Sequence, residues 1–335
     1  MTDYKTIRGK KVKTFTSDLP AAVTEGQVWY NSSDTNYKSS VIVSAWSSGG
    51  NLNTARKSTQ GCGTLTAGLC FGGNTGAPLK NESEEYDGSS WTEGNNLNTA
   101  RYEAGGAGTQ TAGLCVGGSP GSNETPPGYT EEYNGTSWSE QNDLSTHRMS
   151  QGGCPTSGTQ TAAIAVGGYS NPPGARVNNT ENYDGTNWTN GTAFPSVISS
   201  GIMAGTQTAG FYISGNNGSS ITSTANYDGS SWTTGAAVNT ARQENGGQGS
   251  QTQAIINHGK SPGASPDALV STELYDGSSW AEVADLSTAR ERLHGGGTNQ
   301  SGVVMGGYVY SPSEANTNAT EEWSMVASKE TVAFD

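Results

Sequence analysis

The sequence predicts an all-β protein of six repeated four-stranded units closed into a ring, on three observations. A hexapeptide, Tyr86-Asp87-Gly88-Ser89-Ser90-Trp91, recurs with small changes at residues 133–138, 183–188, 227–232 and 275–280. A Gly-Gly pair or a near variant precedes each copy. A sixth copy is divided between the two ends, with Trp46 near the start and Trp323, standing where the others have Tyr, near the finish. A last repeat completed by the N-terminal part of the same chain closes the ring. Such closure hides the edge an unpaired unit would expose.

The tryptophans at 46, 91, 138, 188, 232 and 280 are 45, 47, 50, 44 and 48 residues apart. Each interval holds four short strands. In the second unit, strand one follows Asn98-Thr99-Ala100-Arg101 and runs through Gly105-Gly106-Ala107-Gly108. A turn at Thr109-Gln110 leads to strand two, residues 112–118, and a longer loop leads to strand three, Thr130-Glu131-Glu132-Tyr133. Asn134-Gly135 turns the chain into strand four around Trp138. Asp-Gly or Asn-Gly between short alternating runs is a strong hairpin signal, with both turn residues expected at positive φ. A four-residue loop would set Tyr and Trp opposite each other, adding about 0.5–1.5 kcal/mol beyond area burial.

Gly-Gly, then Tyr, then Trp, in register at a period near 50, resembles the kelch family of β-propellers. The resemblance covers residues 41–325. It departs from the family where Ser214-Gly215 and His258-Gly259 replace Gly-Gly. It implies a six-bladed kelch-type β-propeller with blades at about 56–93, 101–140, 148–190, 200–234, 242–282 and 290–325. Residues 41–47 complete the last blade. Residues 1–40 form an extended N-terminal arm and 326–335 a C-terminal tail.

Comparison of the repeats exposes a pair of charges. Arg56, Arg101, Arg148, Arg242 and Arg290 precede strand one in five units, and Glu84, Glu131, Glu181, Glu273 and Glu321 stand two residues before the strand-three aromatic. The fourth unit lacks both: it has residues 197–200 (Val-Ile-Ser-Ser) and Ala225. Joint loss points to a structural Arg–Glu bridge within each blade, because a half-buried charge left alone costs more than none. The alternative is a ring of arginines holding an anion.

Composition limits the partners. Seventeen basic against 30 acidic residues give a net charge of −13, which argues against specific nucleic-acid binding and against an anionic membrane surface. No apolar run is long enough for a membrane-spanning helix. Met1-Thr2-Asp3-Tyr4-Lys5 is followed by no apolar stretch, so the expectation is synthesis in a cytoplasm without a signal peptide. Cys70 and Cys115 hold the same site in consecutive blades and read, with Cys62 and Cys154, as small apolar core residues. No Cys-x-x-Cys suggests a zinc site.

The arm has the opposite charge. Lys5, Arg8, Lys10, Lys11, Lys13 and Lys38 outnumber Asp3, Asp18, Glu25 and Asp34, giving +2, whereas the remaining 295 residues carry −15. The basic run is an expected anchor on an acidic partner, with Trp29 and Tyr30 beside it. The plain alternative is an arm lying on the body's own acidic surface. Gly26-Gln27-Val28-Trp29-Tyr30-Asn31-Ser32 is similar to a segment found near the start of phage tail-fibre and other virion proteins. With the Gly/Asn/Ser/Thr-rich repeats, the chain resembles propeller-type virion proteins of marine tailed bacteriophages. That resemblance implies a virion location on tail or capsid surface, an arm held by other virion proteins, and a propeller turned to a host glycan or receptor.

Catalytic motifs are scarce. His147, His258 and His294 occupy different repeat positions, so they do not converge as the ligands of kelch-like copper-radical oxidases would. The Asp-Gly turn matches the sialidase Asp-box in part, but that box has a residue between Asp and Gly. Sialidases also need an arginine cluster, and beyond arm and repeat arginines only Arg176 and Arg292 remain. The expectation is a non-enzymatic protein with no cofactor and no metal. Its candidate binding residues lie in the variable loops between strands two and three: Tyr129, Tyr169, Arg176, Tyr308 and Tyr310. A cellular kelch-like interaction module is the second reading, and a sialidase-like hydrolase the third.

Overall fold

The structure, a computed structural model, describes residues 13–15, 28–76, 79–121, 128–149, 156–170, 174–261, 268–310 and 313–332. Cys154 and the anchoring candidates Lys5, Arg8, Lys10 and Lys11 lie outside them. Among the described residues every regular element is a strand. The chain divides into two compact units, Trp46–Trp323 and a smaller one made of Met1–Ala45 with Ser324–Asp335.

The larger unit is a six-bladed β-propeller. Blade two is typical: Gly105–Thr109, Ala112–Val116, Thr130–Tyr133 and Trp138–Gln141 pair in that order, each antiparallel to the next. Blades one, three, four and five repeat this order. In blade six, His294–Gly297 pairs with Ser301–Met305, next comes Thr320–Val332, and the outer strand is Asn36–Ser48. First strands of successive blades touch around the axis, and that of blade six meets Gln60–Thr64 of blade one. The ring is therefore closed by strands from both ends of the chain.

The core lies between blades. Leu69 and Phe71 of blade one pack with Leu97, Cys115, Tyr133 and Trp138 of blade two. Tyr133 pairs with Trp138 across the hairpin at 5.0 Å between rings, and Trp138 meets Phe71 at 5.0 Å. Each Trp thus serves as both hairpin partner and blade-to-blade filler. Cys70 and Cys115 are fully buried and Cys62 nearly so, which pushes the three thiols up to about 11, 12 and 12 respectively.

The hairpin turn works differently from the expectation of two positive φ angles. Gly88, Gly135, Gly185, Gly229 and Gly277 have φ of 85–98°, but the preceding Asp or Asn does not. Its side chain instead accepts backbone N–H groups: Asp87 Oδ1 takes those of Ser89 and Ser90, each at 2.8 Å. The loop is a four-residue Asx-type turn. Ser214 and His258, which break the Gly-Gly rule, keep the left-handed conformation of the glycine they replace, with φ of 59° and 39° beside 63° at Gly72. Ser214 Oγ bonds to the Arg242 and Ile221 carbonyls at 2.6 and 2.8 Å, which offsets the backbone cost.

In the smaller unit, Val28–Asn31 pairs antiparallel with Asn36–Ser48, and Lys13–Phe15 runs parallel to Val28–Asn31. Two expectations are corrected here. Residues 326–332 are strand rather than tail, because β-branched Val326, Thr331 and Val332 suit extended chain and Lys38 Nζ donates to Thr331 Oγ1 at 2.9 Å. Trp29 is only 1% exposed, so it is a buried filler and not a contact offered to a partner. Tyr30, one step along the strand, is half-buried with its ring 5.1 Å from Tyr37. Lys13 opens the first short strand.

Candidate functional site

The repeated charges form five buried bridges. Nη2 of Arg56, Arg101, Arg148, Arg242 and Arg290 lies 2.6, 2.7, 3.0, 2.6 and 2.7 Å from Oε1 of Glu84, Glu131, Glu181, Glu273 and Glu321. Each guanidinium also caps carbonyls of its own blade, as Arg101 Nη1 does for Gly117 at 3.1 Å and Tyr129 at 2.9 Å. The other carboxylate oxygen accepts the blade-linker amide, for example Asn98 N at 2.7 Å. In blade four Ile198 holds the Arg position and packs with Ala225, Phe194 and Tyr212, all buried. The terminal guanidinium nitrogens and both carboxylate oxygens are engaged by the blade and its linker, so these pairs are scaffold.

Around the axis, the same scaffold presents residues that do not repeat. Two positions beyond Arg56, Arg101, Ile198, Arg242 and Arg290 stand Ser58, Glu103, Ser200, Glu244 and Arg292, with φ of 52–59°. Their backbones chain from blade to blade. Arg292 N donates to Glu244 O at 3.2 Å, Ser58 N to Arg292 O at 2.7 Å, and Glu103 N to Ser58 O at 3.3 Å. Glu244 N donates to Ser200 O at 2.8 Å. A left-handed non-glycine is uncommon and costs on the order of 1 kcal/mol. Its recurrence in five blades is explained by this chain of hydrogen bonds. One position outward, Lys57, Tyr102, Met149, Ser199, Gln243 and Glu291 each bridge to the residue after the glycine pair: Asn74, Ser119, Tyr169, Asn216, Lys260 and Tyr308. The loop face is thus a set of nested rings on a uniform frame.

Chemistry concentrates on these rings. Arg292 Nε lies 2.6 Å from Glu244 Oε2 and 3.3 Å from Glu291 Oε1, and Tyr310 OH donates to Glu291 Oε1 at 2.8 Å. Lys57 Nζ sits 4.0 Å over the Tyr308 ring, and Tyr308 and Tyr310 meet edge-on at 5.2 Å. Glu103 differs from Glu244 and Glu291 in having no ion pair among the described residues; it is 5% exposed, and burial pushes its carboxyl up to about 7 despite Arg292 and Lys57 nearby. It lines a cavity of about 340 Å³ with Met149, Tyr169, Arg176, Ser199, Ser200, Asn216 and Gln243. Raised carboxyls in clefts mark candidate functional sites.

Of the loop residues nominated from sequence, Tyr169 and Arg176 come together as cross-strand partners in this cavity. Tyr308 and Tyr310 meet in the neighbouring Lys57–Glu291–Arg292 group. Tyr129 is apart, 41% exposed beside Glu140, Gln141 and Asp143. Sequence reading missed Glu103, Glu244, Glu291 and Lys57. The available signal was the pair of columns that follow the repeat Arg, which change charge from blade to blade while their flanks stay constant.

Below the mouth, the channel is lined largely by glycines, with Gln248 and His294 among them. His258 is fully buried beside Asn257 Oδ1, and burial with Arg290 and Arg242 nearby holds its imidazole well below the usual range. His147 is exposed on the periphery. Among the described residues, no three His, Cys, Asp or Glu side chains gather as a metal site requires. The opposite face is stitched. Gln110, Gln160, Gln207 and Gln251 in the strand one–two turns each donate to two carbonyls of the preceding blade, at 2.7–3.2 Å.

The class this architecture defines is the six-bladed β-propeller. The solved structure titled "Structure of YjhT" superposes with a TM-score of 0.63, covering 81% of this chain and 96% of that one at 14% identity. A likeness at that identity is one of fold. No protein-family model matches the sequence, and no curated protein does. Propellers host unrelated activities, so function has to come from the axial cavity and the rings around it.

Proposed function

We propose that the protein is a non-catalytic recognition component of a tailed-phage particle, a kelch-type propeller whose variable loop face binds a host surface glycan or receptor. The N-terminal segment docks it on other virion proteins. One observation carries the recognition part: the axial cavity joins Tyr169, Arg176, Asn216, Gln243 and Glu103, whose carboxyl has no ion pair among the described residues. Loops on a rigid scaffold are where binding concentrates. The particle assignment draws on the basic run of residues 5–13 and on the virion-like segment 26–32. Mass spectrometry of purified particles should find the chain in stoichiometric amount, and particles lacking it should lose attachment. Absence from particles would sink the assignment and leave a cellular kelch-like interaction module as the reading.

A second reading is favoured by Glu103 alone. A carboxyl that burial in a cavity pushes up to about 7 suits a general acid, as in glycoside hydrolysis. A fluorogenic glycoside panel tests it. Turnover abolished by Glu103→Gln would replace recognition by catalysis.

A further inference from the structure

The ligand class follows from what the cavity leaves unused, and rests on the reading of the loop face as a recognition surface. Glu103 is 95% buried, yet among the described residues none makes a hydrogen bond or ion pair with its carboxyl. Its carboxyl opens into the cavity, where a ligand's hydroxyls can take the place of water as donors. Arg176 is held by Nε on Ser199 Oγ at 3.2 Å, which leaves its two terminal nitrogens for a ligand. Asn216 Nδ2 donates to Gln243 Oε1, so Gln243 offers its own amide donors. Tyr169 is fixed by its hydroxyl on Gly174 O at 2.8 Å and by strand pairing with Arg176, so its ring is a preset wall.

We propose that this cavity takes a single neutral pyranose unit. Glu103 accepts from one pair of vicinal hydroxyls, Arg176 and Gln243 donate to another, and Tyr169 covers an apolar face of the ring. Carboxylate, guanidinium and amide are the planar forks that match adjacent hydroxyls. Charge decides against the alternatives. Among the described residues the lining carries one carboxyl without an ion pair and one guanidinium, with Glu244 and Arg292 close by. A carboxylated sugar would bring a second anion to Glu103 and Glu244 in a chain of net charge −13. An ammonium group would meet Arg176 and Arg292. A neutral polyol satisfies both signs at once.

The test uses the full chain with methyl glucoside, methyl galactoside and methyl mannoside, and with glucuronic acid and glucosamine as charged arms. Saturation-transfer NMR and titration calorimetry should show at least one neutral glycoside binding more tightly than either charged sugar. Glu103→Met and Tyr169→Ala should each weaken it about tenfold or more. Thermal unfolding of both variants identifies any that fails to fold, and Arg176→Met then serves as the replacement. Binding by none of the glycosides, preference for glucuronic acid or glucosamine, or unchanged binding in folded variants overturns the proposal. Particles that carry the chain and attach through it while no glycoside binds would refute only the sugar, leaving the recognition role standing.

Discussion

Replacing the Arg101–Glu131 pair in blade two should give strongly non-additive losses. Arg101 and Glu131 are each 1% exposed and joined at 2.7 Å. Glu131→Ala leaves a buried guanidinium with only the Gly117 and Tyr129 carbonyls, and frees the Asn98 amide. Arg101→Ile leaves a buried carboxylate. Each change alone should cost about 3–5 kcal/mol, because breaking a buried pair strands the partner. The double variant removes both charges, so it should fall at least about 2 kcal/mol short of the sum. Blade four supplies the remedy, since Phe194 and Tyr212 fill the space beside Ile198 and Ala225, with rings 4.9 Å apart. Adding Leu97→Phe and Cys115→Tyr, at the matching positions, should recover part of the loss by filling the cavity. Urea unfolding followed by tryptophan fluorescence reads all four. Losses additive within about 0.5 kcal/mol would show that the pair is not coupled, and a quadruple variant no better than the double would refute the blade-four comparison.

Three further outcomes can be measured in the same way. Glu103 has its carboxyl raised from an ordinary 4.5 to about 7, so the folded state holds that proton longer than the unfolded chain does. Stability from this group is full below 4.5 and falls as pH rises to 7, by about 3 kcal/mol at about 1.4 kcal/mol per pH unit. Glu103→Gln should remove that loss and be more stable than the parent at pH 8; equal pH profiles would refute the assignment. His258 is held neutral by burial, so its contribution is present above its ordinary 6.5 and declines as pH falls below it. His258→Asn, which tolerates the 39° φ, should flatten the acid limb of the urea midpoint between pH 7 and 5. Tyr183 OH donates to Glu132 Oε1 at 3.0 Å, whereas the buried Tyr227 OH has no partner among the described residues. Tyr183→Phe should therefore cost about 1 kcal/mol and Tyr227→Phe nothing or less, and equal losses would contradict the pairing.

The contrast between those tyrosines shows what sequence could reveal and what it could not. Period, strand order and ring closure were legible because glycine pairs, Asp-Gly turns and aromatic pairs repeat with the chain. The joint absence of Arg and Glu from blade four was legible for the same reason. Contacts between blades were less visible, since they join residues a whole repeat apart. Glu85 reaches Tyr133, Glu132 reaches Tyr183, and Glu322 reaches Tyr86 across the seam. Leu274 holds the equivalent place in blade five, where the next blade has Trp323 and no hydroxyl to receive. The axial residues were hidden for a different reason. Glu103, Glu244 and Arg292 sit in a column whose backbone is uniform, with φ near 55° and a shared chain of hydrogen bonds, while its side chains obey no repeat. Repetition is the signature of the frame in this fold. Recognition falls to the positions where a constant backbone carries changing side chains, and in this chain those positions line the mouth of the axis.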